Sequence, residues 1–102
     1  MPSGSAAPLA HESVDTAATL LSGSAPAYTR EAESAGVETD VPLEIVVDDR
    51  GSVVAARVLQ RAGYGLDEAA LASIRSYRFQ PARRAGTPVA VRMRWLVRFE
   101  LR

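Results

Sequence analysis

The chain has 102 residues, 47% apolar and 24% charged, with 12 Arg, no Lys and 12 Asp plus Glu, giving a formal charge of zero. That describes one small globular domain with a modest tail, and excludes a second domain, a disordered polymer and any bulk attraction to nucleic acid or anionic lipid. Without Cys there is no disulfide framework, thiolate zinc site or thiol nucleophile, and no run approaches the ~18 apolar residues of a membrane span.

Met1-Pro2-Ser3-Gly4-Ser5 lacks the basic residue and hydrophobic block of a signal peptide, so the chain either stays where it is made or is a piece excised from a longer protein, and a composition boundary near residue 26 favours excision. Of the first 26 residues, 16 are Ser, Ala, Pro or Gly and none is basic. Residues 1–26 therefore read as a flexible linker or tail, and 27–102 as the domain. Val14 to Leu21 is the exception and fits either a short helix or an extended docked arm. Tyr28 to Val37 reads as a short helix, with Thr29 able to accept at its start, Glu31 and Glu33 suiting the positive end, and Gly36 stopping it.

Val41, Leu43, Ile45 and Val47 alternate with Pro42, Glu44 and Val46, the pattern of a strand with one buried face; pairing is expected only after Pro42. Asp48-Asp49-Arg50-Gly51 is a turn into a second strand, Ser52 to Arg61, making an antiparallel hairpin. Leu66 to Arg78 is the main helix. Asp67 is expected as its cap, Ala70, Leu71, Ile74 and Tyr77 as its apolar stripe, Arg75 and Arg78 in its last turn and Pro81 as its terminator. Residues 83–88 read as a loop.

From Val89 onward, the odd positions Val89, Val91, Met93, Trp95, Val97, Phe99 and Leu101 are all apolar, while the even ones are mostly charged. That is a strand. Fully extended it would reach roughly 46 Å, so it is expected to bend, fray or project. The fold class is α+β, in the order α-β-β-α-β. The strands form an antiparallel three-stranded sheet of order 2-1-3, with two helices on one face and the last strand at an edge.

No constellation of catalytic groups is present, and the chain reads as a non-enzyme with no cofactor. His11, the single histidine, lies in the tail. Glu38, Asp40, Asp48 and Asp49 lack the ligand pattern of a cation loop, and Gly63-Tyr64-Gly65 is no phosphate cradle. Charge is uneven: residues 28–49 carry one Arg and seven acids, residues 83–102 six Arg and one acid. An Arg-lined strand face is ordinarily a solvated face that keeps an edge from aggregating. Trp95 and Phe99 share the apolar parity, so they belong to a core and offer no stacking platform to nucleic acid. The same edge is able to accept an added strand from a partner, or to pair with its own copy as a homodimer.

Taken in order, several segments resemble the C-terminal domain of the TonB family of envelope energy transducers. They are Pro26-Ala27-Tyr28 with Glu31-Ala32 and Ala35-Gly36-Val37, Val46-Val47-Asp48 with Gly51 and Val53, and Val58-Leu59. Leu66 to Leu71 with Phe79-Gln80-Pro81-Ala82, Gly86 to Val89, and Val97 to Leu101 complete the set. The likeness covers residues 26–102. It implies a periplasmic binding module whose parent protein is anchored in the inner membrane and works with an ExbB/ExbD-type complex. It also implies that the last strand's edge grips the TonB box of an outer-membrane receptor by strand addition. The partner-binding residues it implies are Tyr28, Val89, Val91, Arg92, Met93, Arg94, Trp95 and Val97, with Arg92 and Arg94 flanking the added strand. Departures fall at Thr29, where the family has Pro, at Ala25, where Gln is frequent, at Tyr77, where Trp is common, and at Thr39, where Gly stands. The other reading is a structural or interaction domain of another envelope machine, in motility or secretion, built on the same fold.

Overall fold

The computed structural model describes residues 8–10 and 13–101. Its elements in chain order are β1 (Leu9–Ala10), β2 (Thr19–Ser22), α1 (Arg30–Ala35), β3 (Thr39–Val47), β4 (Val53–Val58), α2 (Leu66–Ile74), β5 (Arg78–Gln80), β6 (Ala82–Arg84), β7 (Thr87–Val89) and β8 (Val91–Phe99).

β3 is the centre of the main sheet. It pairs antiparallel with β4 from Leu43 onward and with β8 over its whole length, Thr39 opposite Phe99 through Val47 opposite Val91. The odd residues Val41, Leu43, Ile45, Val47, Val91, Val97 and Phe99 are buried on one face, with Ala32 of α1 and Leu66, Ala70 and Ile74 of α2 in the same cluster. The sheet is not the expected three-stranded antiparallel one. It has four strands in the order β1-β8-β3-β4, and is mixed, because Leu9–Ala10 joins β8 in parallel at Val91–Arg92. The expectation that the last strand stands alone at an edge is corrected with it.

Pro42 does not delay pairing with β8, since its missing N–H falls on the β4 side. There its carbonyl accepts from Leu59 N–H at 2.9 Å. Helix α1 has the expected ends. Thr29 Oγ1 accepts from Ala32 N–H at 3.1 Å, and Gly36 takes φ +67° while Val37 N–H returns to Ala32 O. The Thr29 hydroxyl also donates to Tyr64 O at 2.5 Å, tying α1 to the loop before α2. Thr29→Ala should therefore cost about 1 kcal/mol, the usual loss of an N-cap. Thermal unfolding should shift down by about 4–8 °C, and Thr29→Ser should restore most of the loss.

Helix α2 ends at Ile74, one turn before the expected Arg78. Ser76 and Tyr77 N–H groups bond three residues back, to Ser73 O and Ile74 O, and the Ser76 hydroxyl donates to Ser73 O at 2.7 Å. These bonds tighten and close the helix. Arg75 is its C-cap, Arg78 lies in β5, and Pro81 follows β5 and terminates no helix. Asp67 is not the N-cap; Gly65 is, in the left-handed conformation. The buried Asp67 carboxylate instead accepts from Ala62 N–H at 2.8 Å and Gly63 N–H at 3.0 Å.

In place of the expected loop at 83–88, residues 82–89 are a hairpin of β6 and β7, turned through positive φ at Ala85 and Gly86. The last strand is broken at Ala90, where the chain leaves the β6 ladder for the β3 ladder. Of the two conformations open to Val14–Leu21, the chain has the extended one: Thr16 bridges Arg83, and β2 runs antiparallel to β5.

Candidate functional site

The candidate site is the outer side of β8. Successive residues of a strand direct their main-chain groups to opposite neighbours. On β3 the even residues face β4, as the Leu59–Pro42 bond shows, so the odd residues face β8. On β8 the odd residues therefore bond to β3 and the even ones face outward. This agrees with Ala90 O, which accepts from Leu9 N–H at 3.0 Å on the outer side. Beyond Leu9–Ala10, the donors and acceptors of Arg94, Leu96 and Arg98 meet no strand among the described residues.

The side chains around this lane divide by parity. Inward, the half-buried Met93 and Trp95 pack on the core. Trp95 meets Phe79 at a ring separation of 5.2 Å and Tyr77 at 5.9 Å, both edge to face, an arrangement that packs the middle of β8 against β5 and the residue before it. Outward, Arg92, Arg94, Leu96 and Arg98 are exposed, Leu96 at 59%. Arg98 is held by Asp40 at 3.2 Å and reaches Glu100 at 3.5 Å. Glu44, directly across from Arg94, takes Arg57 at 2.9 Å. The Arg57 hydrogen bond outweighs partial desolvation and, with nearby Arg92 and Arg94, lowers the Glu44 carboxyl pKa.

Of the residues expected at the site, Val91, Arg92, Met93, Arg94, Trp95 and Val97 share β8. Val89 lies in β7 and pairs with Ala82, on the other side of the break. Tyr28 stands at the far end of β8. Its ring meets Phe99 edge to face at 5.6 Å, and its hydroxyl donates to Val37 O. Partial burial, with Glu38 and Glu33 nearby, raises its phenol pKa, so it remains a donor.

Three of the four acids weighed for a cation have other work. Asp48 Oδ1 accepts from Arg50 and Ser52 N–H, Asp40 holds Arg98, and Glu38 accepts from Leu101 N–H. Among the described residues no three His, Asp or Glu groups gather as a metal site would require. His11 lies outside the described residues. Nor is any described helix long and apolar enough to cross a membrane.

Sequence reasoning missed the outward main-chain groups of Leu96 and Arg98, and it missed Leu9–Ala10 as an occupant of the same edge. Only Pro42 carried a signal for the former, because the side on which its absent N–H falls sets the direction of every ladder bond.

A family model described as Gram-negative bacterial TonB protein C-terminal matches residues 24–101. Protein TonB of Vibrio cholerae serotype O1 is 35% identical over 89 residues, covering 86% of this chain and 36% of that protein. The chain thus spans about a third of that relative's length. The solution NMR structure of the Pseudomonas aeruginosa TonB C-terminal domain superposes with a TM-score of 0.60 at 23% identity, over 83% of this chain and 89% of the other. That match speaks for the fold alone.

Proposed function

Because the chain belongs to the Gram-negative TonB C-terminal family, we propose that it is the periplasmic binding module of a TonB-type energy transducer. In this reading the outer side of β8 pairs with a short extended segment of an outer-membrane receptor. The parent protein is held in the inner membrane and driven by an ExbB/ExbD-type complex. The observation that carries the reading is the outward row of main-chain groups at Arg94, Leu96 and Arg98, beside a strand fixed along its other side by nine residues of β3. Strand addition draws its affinity from such a row and makes little demand on side chains. A load on the added strand is then shared by parallel hydrogen bonds and passed to β3, the most fully paired strand of the sheet. Arg92 and Arg94 flank the lane on the solvent side; Met93 and Trp95 support it from within.

Titrating a synthetic peptide copied from the N-terminal segment of an outer-membrane receptor into the labelled domain tests this. The amides of Arg94, Leu96 and Arg98 should slow in hydrogen exchange by roughly tenfold or more, as a newly formed ladder requires. Trp95 and Val97, already bonded to β3, should change little. Shifts confined to the turn at residues 48–51, with β8 silent, would overturn the reading.

A further inference from the structure

We propose that the chain's own N-terminal arm is a built-in competitor for the β8 edge, a latch that a partner strand must lift to pair along the full strand. The inference rests on the edge-pairing reading above. Leu9–Ala10 lies in the lane beside Val91–Arg92, with Leu9 N–H on Ala90 O. Neighbouring strands are only about 4.8 Å apart, so this lane holds one chain at a time. A partner reaching Val91 and Arg92 needs the place that Leu9 and Ala10 occupy.

The latch is anchored farther along the arm. Asp15 and Thr16 N–H groups both donate to Arg83 O, Arg83 N–H returns to Thr16 O, and Ala85 N–H donates to the Asp15 carboxylate at 2.5 Å. β2 then pairs with β5, and Ser73 Oγ donates to Ser24 O at 2.6 Å. The arm is thus tethered close to the lane whether or not Leu9–Ala10 is seated, and the tether makes it an intramolecular rival at high local concentration.

Its grip on the lane is weak by construction of the contacts. Among the described residues of the arm only Val14 and Ala18 pack on the core, whereas Leu20 and Leu21 are 44% and 64% exposed. Ala10 is exposed as well, and β1 is two residues long. Exposed main-chain bonds with little apolar burial belong to the low-stability end of a fold. A segment of that kind lowers a partner's apparent affinity by the fraction of molecules in which it is seated, without blocking binding outright.

The absence of native Cys allows a clean test in the full chain. Ala10→Cys with Arg92→Cys places two thiols on directly opposed residues, within reach of a disulfide. The receptor peptide used above should bind the oxidised form at least tenfold more weakly than the same protein reduced. Leu9→Pro, which removes the donor to Ala90 O, should bind more tightly than the unaltered chain. In the unaltered chain, saturating peptide should speed exchange of the Leu9 amide. If every form binds at Arg94, Leu96 and Arg98 with equal affinity, the latch is wrong and the edge-pairing reading stands. If no form binds there, the edge-pairing reading fails and the latch fails with it.

Discussion

Replacing Gly51 with Ala should destabilise the domain by about 3–5 kcal/mol, the range of severe core defects, and lower its thermal midpoint by more than about 12 °C. Two effects combine at this position. Gly51 has φ +84°, which an L side chain adopts only under strain. A Cβ there would also lie 1.8 Å from Phe79 O and 2.9 Å from Phe79 C. Those are backbone atoms, so no rotamer change relieves the clash and the hairpin turn must part from β5. Parting breaks the 2.8 Å bond from Phe79 N–H to Gly51 O and pulls on Phe79, which is 2% exposed and packed on Trp95. Gly36→Ala separates the two effects, because φ there is +67° but nothing lies within 4 Å of an added Cβ. It should cost only about 1 kcal/mol, the conformational part alone. Urea midpoints of the two variants give the comparison. Equal losses would show that the contact with Phe79 O contributes nothing.

That contact also shows why part of the fold escaped sequence reasoning. β3 and β8 were legible because nine residues each obey a period of two, and α1 because Thr29 and Gly36 mark its ends. β5 is three residues long and has no periodicity to detect. It exists because Gly51 O and Ser22 stand on either side of it, contacts remote in sequence. The short β6–β7 hairpin likewise depends on positive φ at Ala85, a residue that carries no turn signal of its own. The arm was open between helix and strand for the same reason: Val14 to Leu21 has no strong local preference, and Arg83 and β5 decide it. At the candidate site the facing of the side chains followed from parity, whereas the occupation of the edge by Leu9–Ala10 did not. A two-residue strand in a Ser/Ala-rich tail carries no local pattern that distinguishes it from linker.

On local grounds Asp67 reads as a helix cap, and the structure gives it a larger effect. An acid at the start of a helix is normally worth a few tenths to 1 kcal/mol through the dipole. Here the carboxylate is 1% exposed and reaches back to the N–H groups of Ala62 and Gly63. Those donors belong to a loop whose Gly63, Tyr64 and Gly65 all have positive φ, a conformation that needs external support. Asp67→Ala leaves both donors unpartnered and should cost about 2–3 kcal/mol, the range for a charged hydrogen-bond acceptor and its stranded partners. Burial alone would raise the Asp67 pKa; the bonds from Ala62 and Gly63, with Arg61 at 3.8 Å, outweigh it and lower the pKa below its ordinary value. A carboxyl lowered on folding contributes stability that is fully present above its unfolded pKa and is lost as pH falls through the folded one. The stability of the unaltered chain should therefore decline from about pH 5 downward as Asp67 takes up a proton. Asp67→Asn presents a second donor to Gly63 N–H and removes this titration, so it should be the less stable protein at pH 7. The gap between the two should narrow as pH falls below the ordinary carboxylate range. Glu44, also lowered, titrates in both proteins and cancels from the difference. Urea midpoints of the pair across that range provide the measurement. A gap that stays constant with pH would mean that the Asp67 charge does not hold the loop.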